Sequence, residues 1–133
     1  MQALVLPIGA DRYALELIDV REVVPEPVLT PLPDAPPGVL GLVNVRGDVV
    51  PVLDTAALLG LGRLERVEFV AIADAHVGLA GLATDGEPST AELDEPAGPA
   101  EIPCAIERYA VDGAIVTLVA LDELLAAEGL AGA

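Results

Sequence analysis

GVLGLVNVRGDVVPVLD, residues 38–54, is the stretch from which the fold can be read. Two apolar runs, Val39 to Val45 and Val49 to Leu53, flank one sharp polar interruption, Asn44-Val45-Arg46-Gly47-Asp48. Both runs are rich in β-branched residues, which suit a pleated surface, and Gly47 can take the positive φ of a tight turn. The stretch therefore predicts a β-hairpin whose turn carries an arginine. Apolar residues fall at odd positions (Val39, Val43, Val45) and at even ones (Leu40, Leu42). The first strand is thus expected to be covered on both faces and to lie deep in the fold.

On the N-terminal side, six prolines between Pro25 and Pro37 remove backbone donors and fix φ, so an extended crossing segment is expected there. Before it, Ala3 to Ile8 and Arg12 to Leu17 flank Gly9-Ala10-Asp11 and predict another hairpin. Ile18 to Val24 reads as a short helical turn passing into a strand that Pro25 ends. On the C-terminal side, Asp54 stands as an N-cap before Thr55-Ala56-Ala57-Leu58-Leu59, with Gly60 as the stop. Val67 to Asp74 and His76 to Ala83 predict two strands around a tight Asp74-Ala75 connection. Residues 84–103 hold six acids and four prolines without an apolar period. They are expected to be a long solvated connection, with Asp85 to Pro103 the most mobile part of the chain. Ala105 to Val111 and Ala114 to Leu121 form a last hairpin at Asp112-Gly113, and Asp122 to Glu128 a closing helix stopped by Gly129. The expectation is an all-β fold of about nine or ten short strands and two short helices, one domain over residues 1–133.

Composition narrows the function. The chain carries 22 acids against six basic residues, all arginine, for a net charge of −16, the wrong sign for a phosphate backbone. Nucleic acid is not an expected partner. Residues 1–64 hold eight acids and four arginines, net −4, and residues 65–133 hold fourteen and two, net −12. The plain reading of that acidity is solubility or residue usage. A single cysteine, Cys104, and the absence of a secretory pattern at the start point to a reducing cytoplasm. Apolar runs such as Ala114 to Leu121 fall well short of the ~18 residues of a membrane span, so no direct membrane insertion is expected.

Reactive groups are scarce: one histidine, one cysteine and one serine, Ser89, with no HExxH, GxSxG, CxxC or phosphate-cradling glycine loop. His76 reads as a turn-side surface residue and Cys104 as a small core residue. No enzymatic activity, cofactor or metal is expected.

Gly41 to Asp54, GLVNVRGDVVPVLD, closely resembles the G-x-x-N-x-R-G-x-x-x-P-x-x-D signature of the CheW-like coupling domains of bacterial chemotaxis. Val20-Arg21-Glu22-Val23 resembles that family's V-x-E-[VI] segment. The likeness is strong through residue 60 and weaker beyond, where Ala83-Thr84-Asp85-Gly86-Glu87-Pro88 stands in place of the family's V-D-x-V-like segment. The resemblance implies two intertwined five-stranded SH3-like β-barrels with short helices. It also implies a non-enzymatic scaffold that joins the cytoplasmic tip of a chemoreceptor to the regulatory domain of a histidine kinase. Residues associated with partner coupling or its support would be Val20, Glu22, Gly41, Asn44, Arg46 and Gly47. A regulatory module of the kinase itself would share the fold, and a generic β-barrel interaction module is the structural alternative. From the residues alone, Arg46 either contacts a partner or pairs with Glu22 or Asp48. Asn44 either does the same or satisfies backbone groups. Gly41 and Gly47 read as backbone requirements.

Overall fold

The computed structural model describes residues 1–126. The chain runs β1 (Gln2–Ile8), β2 (Asp11–Glu16), a 3-10 turn (Leu17–Asp19), β3 (Val20–Pro25), β4 (Val39–Val45), β5 (Asp48–Asp54) and α1 (Thr55–Leu58). It continues through β6 (Phe69–Ala75), β7 (Gly78–Thr84), β8 (Ser89–Glu92), β9 (Pro96–Gly98), β10 (Ala105–Val111), β11 (Ala114–Val119) and α2 (Leu121–Ala126). These strands form two sheets, one of six strands in the order β8-β1-β2-β11-β10-β9 and one of five in the order β3-β6-β7-β5-β4. The first sheet takes both ends of the chain and the second takes its middle. The all-β expectation holds, with six strands in the first sheet where five were expected, β8 and β9 forming its two edges.

Side-chain alternation along the strands creates three cores. One face of the first sheet buries Ala3, Val5, Ala14, Leu93, Val116 and Leu118. One face of the second buries Val43, Val50, Val52, Val70, Ile72 and Ala83. Between the sheets lies a third core, with Leu4, Leu6, Ile8, Tyr13 and Leu15 from one side and Ala71, Ala73, Ala75, Ala80 and Leu82 from the other. Successive residues of a strand point to opposite faces. Leu4 and Val5, or Val70 and Ala71, therefore serve different cores from adjacent positions. Each large aliphatic side chain buried this way contributes about 1.5–3 kcal/mol.

β1, β2, β6 and β7 are thus among the strands that bury residues on both faces, and β4 is not. It is an edge strand with Leu40 and Asn44 exposed, contrary to the expectation for Val39 to Val45. Its free edge is met by the proline-rich crossing segment. Thr30 exchanges both backbone hydrogen bonds with Leu42, each at 2.8 Å. That segment has no other regular pairing, as its prolines require.

Two further expectations are corrected. The connection between β6 and β7 falls at His76-Val77, because Asp74 is a surface-facing strand residue paired with Arg21 at 3.1 Å and Ala75 continues the ladder opposite Gly78. His76 therefore sits in the turn and not at a strand start. Residues 84–103 are not a free solvated connection. β8 pairs with β1, β9 pairs with β10, and Leu93 between them is 4% exposed in the first sheet's core. An edge strand with one inward face needs only Ala91 and Leu93 to be apolar, which is too sparse a pattern to stand out among acids and prolines. The closing helix begins at Leu121. The remainder of its expected span and its Gly129 stop lie outside the described residues.

Candidate functional site

The signature stretch occupies β4, β5 and the cap of α1, and the position of each residue has a local cause. Val45 pairs with Asp48 across a two-residue turn, Arg46-Gly47, whose φ values are 52° and 89°. Positive φ at both central residues is the geometry of a type I′ turn, which matches the twist of a hairpin and favours Asn-Gly. Gly47 takes its φ without penalty. Arg46 does not: a left-handed conformation costs an ordinary residue roughly 1–2 kcal/mol. Asn44 closes the turn by accepting the Gly47 N–H on Oδ1 at 3.1 Å.

Gly41 serves a different purpose. The β4–β5 register slips between Val39 and Gly41, and the Gly41 φ is 154°. A Cβ there would stand 2.7 Å from the Thr30 carbonyl oxygen. The crossing segment can approach β4 only over a glycine. At the far end of β5, Asp54 is 3% exposed and accepts from the Ala57 N–H at 3.2 Å and from the Leu64 N–H at 3.2 and 3.3 Å. Buried carboxylates persist when so satisfied. Asp54 therefore caps α1, as expected, and also holds the chain that follows it.

Glu22 comes from β3, at the opposite edge of the same sheet. The Arg46 Nε–H donates to Glu22 Oε1 at 3.1 Å. The sheet must curl for its two edges to meet in this way, so this pair closes one end of the second barrel. Arg46 keeps 82% of its side chain exposed, and among the described residues its terminal nitrogens have no hydrogen-bond partner. The outward face of the hairpin beside it carries Asn44 opposite Val49, and Val49 is 64% exposed.

The structure thus gathers Glu22, Asn44, Arg46 and Gly47 at one tip, leaves Gly41 under the crossing segment, and sets Val20 at the start of β3. Val20 packs partly against the core between the sheets. Next to it, in the 3-10 turn that carries the chain from the first sheet to the second, Ile18 is 88% exposed. It borders a shallow hollow with Met1, Gln2, Glu16 and Leu17. Sequence reasoning missed Val49 and Ile18 as surface residues. Both lie in runs where neighbours on either side are apolar, so the pattern does not say which face is bare. No group of three or more His, Cys, Asp or Glu among the described residues is placed to hold a metal. Burial pushes the Cys104 thiol and the Tyr13 hydroxyl upward from their ordinary pKa values. No helix among the described residues is long and apolar enough to cross a membrane.

Comparison with known proteins agrees with this geometry. The chain is 29% identical over 132 residues to the chemotaxis protein CheW of Rhizobium meliloti (strain 1021), covering 91% of this chain and 84% of that protein. It is 28% identical over 129 residues to a probable chemotaxis protein CheW of Rhizobium etli, covering 88% and 82%. The crystal structure of the scaffolding protein TtCheW from Thermoanaerobacter tengcongensis superposes with a TM-score of 0.79 at 25% identity, over 93% of this chain and 86% of that one. The profile of the CheW-like domain matches residues 2–128, nearly the whole sequence, and with the two-sheet fold and the Gly41–Asp54 signature in place the chain belongs to the CheW-like domain family.

Proposed function

We propose that the chain is a non-enzymatic adaptor that couples the cytoplasmic tip of a chemoreceptor to the regulatory domain of a histidine kinase, in a chemotaxis or related chemosensory pathway in the cytoplasm. The observation that carries this reading is Arg46. An arginine occupies the left-handed position where asparagine would be cheaper, and strain kept at an exposed site is a mark of function. The relatives named chemotaxis protein CheW and the scaffolding protein TtCheW support the pathway.

Arg46 and exposed Val49 supply the contact in this reading, a fixed charge beside an apolar side chain at the tip of a hairpin. Glu22, Asn44 and Gly47 hold that tip in shape, and Gly41 seats the strand behind it. Val20 with Ile18 forms a second contact surface at the junction of the sheets. Two surfaces on one rigid body are what an adaptor needs.

The test is titration of the chain and of Arg46→Ala against an isolated kinase regulatory domain and a receptor tip fragment. Loss of hydrogen bonds from a charged donor costs about 1–3 kcal/mol, so affinity for one partner should fall roughly 5- to 150-fold. Unchanged affinity for both would overturn the assignment of Arg46. A chain that binds neither partner would overturn the adaptor reading.

A further inference from the structure

The core between the two sheets is asymmetric. The first sheet projects Leu4, Leu6, Ile8, Tyr13 and Leu15, whereas β6 and the first half of β7 answer with Ala71, Ala73, Ala75 and Ala80, and the large buried side chains of the second sheet there are Leu53 and Leu82. Packing of large side chains on a floor of alanines excludes water but offers few ridges for them to lock into. Burial along β6 therefore does little to fix the angle between the sheets.

Directional contacts between the sheets occur at both ends of β7. At its end, Asp85 reaches across to the β1–β2 turn, where the Gly9 N–H donates to both carboxylate oxygens, at 3.0 and 3.2 Å. Beside it, a Cβ on Gly86 would stand 3.1 Å from Pro7, so the chain lies directly against β1 as it crosses from one sheet to the other. Before the start of β7, the His76 N–H in the β6–β7 turn donates at 2.9 Å to Asp122 Oδ1 in the first turn of α2, the helix that follows the first sheet's β11. A strand advances about 3.3 Å per residue, which sets the two contacts roughly 25 Å apart. Two attachments at that separation resist rotation about either one.

We propose that Asp85 and Asp122 are positioning residues that fix the angle between the two β-barrels. Asp85, in the segment that joins β7 to β8, and Asp122, in the helix after β11, each grip a backbone N–H in a turn of the opposite sheet.

The experiment uses spin labels at exposed positions in the two sheets, Val49→Cys in the second and Ile115→Cys in the first, in a Cys104→Ala background, with the distance distribution measured by pulsed electron resonance. Asp85→Ala with Asp122→Ala should broaden the distribution and add a component at a different separation, at temperatures where circular dichroism shows the fold intact. Asp85→Asn with Asp122→Asn keeps an acceptor oxygen at each site and should restore the narrow distribution. That rescue separates positioning from a general loss of stability. Each single alanine variant leaves one attachment and should broaden the distribution less, so the proposal stays testable if the double variant does not fold. Distributions in the alanine variants that match the parent's would overturn it, as would asparagine variants as broad as the alanine ones.

Discussion

Arg46 and Glu22 belong to strands at opposite edges of a five-stranded sheet, yet the Arg46 Nε lies 3.1 Å from Glu22 Oε1. The pair is a latch on the curl of the second barrel. It is also exposed, and exposed ion pairs contribute about 0–1 kcal/mol. Against that small gain stands the roughly 1–2 kcal/mol that a left-handed backbone costs arginine. Arg46→Asn should therefore melt at the same temperature as the parent or higher, since asparagine suits this turn position. If Arg46 contacts a partner, the same variant binds it less tightly. Calorimetry and a binding titration on one sample check both halves, and a clear drop in melting temperature would show that the latch outweighs the strain.

Gly41→Ala and Gly47→Ala should separate two roles for glycine. At Gly47 a Cβ meets nothing within 4 Å, so the penalty is the backbone one, about 1–2 kcal/mol. At Gly41 the Cβ collides with the Thr30 carbonyl, a backbone atom that cannot swing aside, and the cost should exceed about 2 kcal/mol. Urea midpoints give the order. Equal midpoints would mean that the crossing segment yields readily.

Leu93→Ala should cost about 2–4 kcal/mol, as a leucine removed from a core does. In a free acidic connection the same change would be nearly silent. Amide exchange makes the companion check, because the Leu93 N–H donates to the Met1 carbonyl at 2.8 Å and should be protected.

Alkaline pH should destabilise the fold. Burial raises both the Tyr13 hydroxyl and the Cys104 thiol above their ordinary values of 10.0 and 9.0. Groups raised in the folded state hold their protons more tightly there than when unfolded. Their contribution is complete below the unfolded values and is lost as pH rises through the folded ones, so urea midpoints should be flat to about pH 8 and fall above pH 9. The same burial predicts that a thiol reagent modifies native Cys104 far more slowly than the unfolded chain.

The hairpin at residues 38–54 was legible because its turn chemistry is local: Gly47 and the polar interruption place the reversal whatever packs around it. The cap at Asp54 was legible for the same reason. The depth of β4 was not, since apolar residues at successive positions of a strand look alike whether a second sheet covers both faces or one face is left bare. Leu4 and Leu6 face a core that Ala3 and Val5 do not, and nothing in the order of those four residues announces two separate cores. Glu22 and Asp48 were both open as neighbours of Arg46, because the choice between them depends on how far the sheet curls. Ile18 and Val49 look like core residues by composition, and their exposure is a property of the assembled sheets.

The division of the strands between sheets also orders the events of synthesis. β3 to β7 are contiguous, so the second barrel has all its strands once residue 84 has left the ribosome. The β1–β2 hairpin emerges before them, yet its neighbours β8 and β11 follow roughly 70 to 100 residues later, and pairings so distant in sequence are the slow ones. The hairpin thus waits with both edges unpaired while the middle completes itself.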